Sequence, residues 1–167
     1  RIVNVGSLAH RVGKLVFDDF NWEITPYKEM KGYAHSKLAL LTFTLELSRR
    51  LAQSRKNILA VGAHPGFAAT EIIKNSNSSL APSGPISRLF QSLVGVLIPS
   101  PVNAARPSVL AACSDSVKSG DYYGPGGFLE IAGKPAKARI NPIAKVPANG
   151  KRLWELSESM TGVRYLT

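Results

Sequence analysis

Apolar residues fall into two short blocks and several longer stripes. Ile2, Val3 and Val5 form a β-branched run ending at Gly6-Ser7, the pattern of a buried parallel strand. From Gly32 to Ser54, Leu38, Leu41 and Leu45 recur at helical spacing, and Leu40, Phe43, Leu47 and Leu51 widen the apolar face. This predicts one long helix, with Arg49 and Arg50 near its C-terminus, where the helix dipole favours cations. Its breadth predicts burial on more than one side, and a second subunit is one partner that would supply the cover. Ile58 to Ala63 reads as a second buried strand, running into the turn His64-Pro65-Gly66. Strand, helix, strand in this order predicts a βαβ unit with a parallel sheet.

The remainder is less regular. Leu8 to Gly32 is a long connection with turn formers (Asp18, Asp19, Asn21, Pro26) and aromatic cover (Phe17, Phe20, Trp22, Tyr27). Asn75 to Gly84 reads as a mobile loop. Ile86, Leu89, Phe90, Leu93, Val94, Leu97 and Ile98 make an amphipathic stripe, which suits core packing, a lid over an apolar substrate, or a peripheral membrane contact. A helix is expected from about Asn103 to Ser114, with Pro107 tolerable only near its first turn. Asp121 to Phe128 reads as a short strand and tight turn, and Lys134 to Asn149 as irregular. Asn149 would cap a last helix, Lys151 to Met160, with Leu153, Leu156, Ser157 and Met160 inward and Gly162 past its end.

Composition narrows the function classes. The chain has 167 residues, 44% apolar and 19% charged, enough for one core. Its single cysteine, Cys113, excludes an internal disulfide and multi-cysteine metal sites. It lies in an apolar run and is expected to be a buried, inert thiol, in a reducing, cytoplasmic setting. The net charge of +10 would suit a nucleic-acid partner. Its basic residues, however, occur singly or in pairs among Asp and Glu, so a solvated basic surface is the reading. No apolar run reaches the ~18 residues of a spanning helix. The chain opens inside a strand without an initiator Met, which leads us to expect residues upstream.

The chemistry concentrates at Tyr33-Ala34-His35-Ser36-Lys37. Tyrosine and lysine four apart share one helix face, roughly 5–6 Å apart at Cβ. An ammonium beside a phenol favours the phenolate and makes the tyrosine a proton donor and acceptor usable near neutral pH. In a parallel sheet, ligands bind outside the C-terminal strand ends. Ser7 and the segment His64 to Thr70 both fall at such ends. Asp18 and Asp19 are assigned no role, His64 is expected to pack or hydrogen-bond, and His35 points off the catalytic face.

Val5-Gly6-Ser7, the Tyr33 to Lys37 pentapeptide and His64-Pro65-Gly66-Phe67-Ala68-Ala69-Thr70-Glu71, in this order, resemble the C-terminal half of the short-chain dehydrogenases/reductases. Asn21-Trp22-Glu23, Tyr122-Tyr123-Gly124-Pro125 and Arg152-Leu153-Trp154 are similar to its retinol dehydrogenase-like branch. The resemblance implies an α/β fold: the C-terminal half of a doubly wound parallel-sheet (Rossmann-type) nucleotide-binding fold. Residues 1–167 would be the catalytic and substrate-binding portion of a single domain. It implies that Tyr33 exchanges a proton with a carbonyl or hydroxyl oxygen of a fairly apolar small molecule. Lys37 would assist Tyr33 and bind the nicotinamide ribose, Ser7 would bind the substrate oxygen, and Pro65, Gly66 and Thr70 would hold the nicotinamide of NADP or NAD, NADP being favoured. A homo-oligomer fits the same family.

Two features depart from that family. The sequence has no glycine-rich phosphate-binding turn after a strand, so the N-terminal half of the nucleotide-binding fold is not in it. Many relatives also carry serine where Gly6 stands. An alternative class therefore stays open: a truncated or degenerate relative without catalysis, serving as an interaction or regulatory module.

Overall fold

A computed structural model of the chain describes residues 1–66 and 99–166. The two apolar blocks form parallel strands: β1 (Ile2–Val5) and β2 (Ala60–Ala63) pair from Ile2↔Ala60 to Val5↔Ala63. Between them runs α1 (Glu29–Gln53), three residues longer at its start than its periodicity predicts. The βαβ unit is followed by α2 (Pro101–Cys113), β3 (Tyr122–Pro125), β4 (Pro135–Lys137) and α3 (Pro147–Thr161). β3 joins β2 in parallel and β4 joins β3 antiparallel, so the sheet is mixed, with order β1-β2-β3-β4.

Strand alternation sends side chains to two faces. Val61, Ala63 and Tyr123 pack with Ala111 and Val117 on the α2 side. Tyr122 packs with Leu38, Leu41 and Ala144 on the α1 side. Gly62 lies under the Tyr122 ring; a Cβ there would stand 2.6 Å from Tyr122 Cδ2. Helices on both faces of a largely parallel sheet make the α/β, Rossmann-type half-fold that the sequence predicts.

Several elements differ from expectation. β1 is an edge strand among the described residues, with Ile2 and Val5 40% and 49% exposed, rather than a buried one. α2 begins two residues early because Ser100 caps it, accepting the Asn103 N–H, and Pro101 takes the first turn. Pro107 therefore sits mid-helix, where it removes the bond to the Asn103 carbonyl, yet it is buried and kept. Cys113 is exposed, not buried: the helix turns Ala111 inward and carries Cys113 about 200° further round. Arg1 caps this helix end, donating to the carbonyls of Ala111, Ala112 and Ser114.

The Lys134 to Asn149 stretch is not irregular: it holds β4 and a 3-10 turn at Pro142–Lys145. Asn149 is not the cap of α3, which starts at Pro147; its Nδ2 donates to the Ile143 carbonyl at 3.0 Å. Met160 is half exposed rather than inward, whereas Gly162 ends α3 in a left-handed conformation as expected. The Asn75 to Gly84 loop and the Ile86 to Ile98 stripe lie outside the described residues. No helix among the described residues is long and apolar enough to cross a membrane.

Candidate active site

Because β1 and β2 are parallel and in register at Val5↔Ala63, Ser7 and Pro65-Gly66 emerge side by side at one sheet edge. Ser7 opens a 3-10 turn (Leu8–Val12), its Oγ accepting the Ala9 N–H at 3.2 Å. That leaves the hydroxyl proton to donate elsewhere. Helix α1 runs antiparallel to the strands and starts near this edge. Tyr33, on its second turn, has the Lys37 ammonium 5.7 Å from its ring centroid. Lys37 Nζ donates to the Val5 carbonyl at 3.3 Å, which ties the helix to the end of β1. The structure thus brings Ser7, Lys37, Pro65 and Gly66 to one edge, with Tyr33 on the same helix face as Lys37. Thr70 lies outside the described residues.

Beneath this edge is a buried layer of polar groups that the motifs do not reveal. His10 is fully buried, with Nδ1 2.6 Å from the Ser7 carbonyl and Nε2 3.2 Å from that of Arg139. A neutral ring has one N–H, which the shorter contact assigns to Nδ1. Burial lowers its pKa, against the raising effect of the two carbonyl contacts. Asn141 donates to the His10 carbonyl and fastens the Ser7 turn from behind. Tyr122 lies between the rings of His10 and His64, at centroid distances of 5.2 and 5.3 Å.

His64 hydrogen-bonds at the end of β2, as its position predicts. Nδ1 accepts the Gly66 N–H at 3.1 Å and Nε2 donates to Glu130 at 3.0 Å. Burial pushes its pKa down to about 4, against the raising effect of Glu130. Gly66 is left-handed at φ 83° and packs on the Ile131 carbonyl, with which a Cβ would collide, so the turn requires glycine here.

The other sequence readings resolve simply. Asp18 pairs with Arg152 at 2.6 Å. Asp19 gathers the N–H groups of Glu23, Ile24 and Thr25, which hold its carboxyl below the usual range. Asn4 donates to Thr44. His35 lies against Phe20 and Trp22, away from Ser7. An open, apolar groove of about 590 Å³ runs along α1 between Phe20, Trp22, Tyr27, Phe43 and Leu153. Tyr33 borders it, but Ser7 and Lys37 do not, so it is distinct from the edge described above. No group of three or more His, Cys, Asp or Glu among the described residues is placed to hold a metal ion.

The described residues thus form a half-sheet of three parallel strands with a helical Tyr-Lys pair near its C-terminal edge, the place where open α/β sheets bind ligands. No family model matches the chain. Human retinol dehydrogenase 13 is 37% identical over 170 residues, covering 98% of the chain and 46% of that protein. Human retinol dehydrogenase 11 is 32% identical over 165 residues, with the same coverages. The crystal structure of an uncharacterised protein from Mycobacterium paratuberculosis superposes with a TM-score of 0.74 at 30% identity, over 99% of this chain and 51% of that one. The chain thus spans about half the length of the relatives it matches. It is homologous to the retinol dehydrogenases of the short-chain dehydrogenase/reductase family and shares the α/β, Rossmann-type half-fold.

Proposed function

We propose that this protein is an oxidoreductase that moves a hydride between a nicotinamide cofactor and the carbonyl or hydroxyl carbon of a small, fairly apolar molecule, with Tyr33 as proton donor and acceptor. The observation that carries the reading is the Tyr33–Lys37 pair, with the ammonium 5.7 Å from the ring centroid, beside the edge that also carries Ser7 and Pro65-Gly66. Tyr33 Oη would take a proton from an alcohol or return one to a carbonyl oxygen, with the Lys37 ammonium beside its ring. The free Ser7 hydroxyl proton suits donation to that same oxygen as charge develops on it.

The residues fit the nicotinamide end of the cofactor. Lys37 uses one of its three N–H donors on Val5, leaving two for a ribose. The Pro65-Gly66 backbone lies next to Ser7, and Thr70 would complete the carboxamide contact. When bound, the nicotinamide supplies or accepts the hydride. NADP is the form we favour over NAD, from the family resemblance. A cytoplasmic setting and a homo-oligomer belong to the same reading, the apolar groove along α1 supporting association through that helix.

Exchange of Tyr33 for Phe tests it. Turnover of retinal, the aldehyde of the alcohol for which the relatives are named, should fall by roughly 10²–10⁴-fold. Binding of reduced NADP should stay close to wild type. Full turnover in the variant would overturn the acid–base role. A wild type that binds no nicotinamide nucleotide would favour a non-catalytic module.

A further inference from the structure

Glu130 lies in the connection between β3 and β4, outside every motif of the sequence. Its side chain is 12% exposed. Its backbone is left-handed at φ 60°, directly after Leu129 at φ 51°. Two consecutive non-glycine residues in that region persist only where their surroundings over-determine them, and such strain collects at functional sites.

The surroundings are specific. Glu130 Oε2 meets Arg11 Nη2 at 2.6 Å and His64 Nε2 at 3.0 Å, and Oε1 accepts the Arg139 N–H at 3.0 Å. Arg11 Nη1 also donates to the Leu129 carbonyl at 3.2 Å. The Gly66 N–H occupies His64 Nδ1, so the ring proton is on Nε2 and faces the carboxylate. A directed chain therefore runs from the Gly66 amide through a fully buried imidazole to Glu130. The ring has no slack: it is 0% exposed, and the space beside Gly124 is filled by its Nε2. The same connection touches the turn a second time, where the Ile131 carbonyl packs on Gly66. Arg11 belongs to the 3-10 turn that Ser7 opens, so one carboxylate ties together the two segments that flank the Tyr33–Lys37 pair.

We propose that Glu130 is a positioning residue: through His64 and Arg11 it fixes the Pro65-Gly66 turn against the nicotinamide and locks that turn to the Ser7 segment. This rests on the reading in which Pro65 and Gly66 hold the nicotinamide.

The test uses Glu130→Ala, which removes both acceptors, and Glu130→Gln, which keeps the size and loses the charge, in the complete protein. Three quantities are read: amide hydrogen exchange at Gly66, the KM for reduced NADP against kcat with retinal, and the thermal midpoint. Glu130→Ala should speed exchange at Gly66 and raise the nucleotide KM about ten-fold, with kcat within about two-fold of wild type. Glu130→Gln should fall between, because one amide oxygen can still accept from His64, and it carries the test if the alanine variant does not fold. Unchanged exchange at Gly66 and unchanged KM would overturn the proposal. So would a lower thermal midpoint with KM unaltered, the mark of a merely structural carboxylate. A wild type that binds no nicotinamide nucleotide would overturn the functional reading instead, and exchange at Gly66 would still decide whether Glu130 holds the turn.

Discussion

The phenol of Tyr122 fills the space where a side chain at Gly6 would lie: a Cβ there would stand 2.6 Å from Tyr122 Oη and 3.2–3.3 Å from the ring. Gly6 is therefore fixed by close approach. The Tyr122 hydroxyl is buried near the Ser7 backbone but finds no partner of hydrogen-bonding geometry among the described residues, and burial pushes its pKa far up. A side chain at position 6 and the Tyr122 hydroxyl would compete for one volume.

This competition makes a coupled prediction. Gly6→Ala should cost about 1–3 kcal/mol by overpacking. Tyr122→Phe should be neutral or stabilising by up to about 1 kcal/mol, because it removes a buried hydroxyl that gains nothing. In the double variant the cost of the Gly6→Ala exchange should shrink by at least ~0.5 kcal/mol. Urea unfolding of the four proteins measures the coupling. Strictly additive effects would mean that the two positions do not share space.

Stability should fall with acid in a defined window. Burial lowers the pKa of His64 to about 4 and lowers those of His10 and His35 in the same direction. The unfolded chain takes up a proton on each imidazole near its ordinary value of about 6.5, while the fold resists it. Stability is therefore complete above that value and is lost as pH falls below it. The His64 contribution declines by up to about 1.4 kcal/mol per pH unit until its folded pKa is reached. Urea midpoints across this range should show the slope. His64→Gln should start less stable near neutrality and lose less on acidification. A wild-type midpoint that does not move over the window would remove the argument.

How much of this was legible in the sequence depends on the range of each interaction. α1 is read correctly because Leu38, Leu41 and Leu45 repeat at local spacing, and the placement of Ser7, Lys37 and Gly66 at one sheet edge, with Tyr33 on the face of Lys37, is legible because strand ends and an i,i+4 pair are local features. β4 is missed because a three-residue edge strand carries no period; its partner Tyr123 faces Lys137 only through the hairpin. Arg139 sits far along the chain from His10, and Glu130 far from His64, so no window of sequence joins them. The Pro107 misreading has a different origin: propensity argued against a mid-helix proline, and the packing of a buried ring overrides it.

Cys113 gives a direct check on the helix phase of α2. An exposed thiol should react with a disulfide reagent in the native protein, without denaturant, and Cys113→Ser should change stability by less than about 0.5 kcal/mol. Labelling that occurs only after unfolding would return Cys113 to the core.

The docking of α3 on α1 centres on Trp154, and its loss should separate stability from the site. The indole is 2% exposed, stacks on Phe43 at 5.3 Å with an interplanar angle of 5°, and has the Arg50 guanidinium 4.4 Å from its ring. Nε1 donates to Glu158 at 2.8 Å. Arg50 in turn is held by the buried Glu46 carboxylate at 2.7 Å, which also takes Arg49; the two cations offset the burial of that charge and hold its carboxyl low. Trp154→Ala should cost about 3–5 kcal/mol. Trp154→Phe should cost less, since the stack on Phe43 survives while the Nε1–H bond is lost. Phe43 lies ten residues beyond Tyr33 on α1, roughly 15 Å along the axis, so the Tyr33–Lys37 pair should keep its geometry. The expected result is a lowered urea midpoint with an unchanged affinity for reduced NADP at temperatures where the variant remains folded. A parallel loss of affinity in the folded variant would mean that the α1–α3 contact sets the position of Tyr33 as well as the stability of the fold.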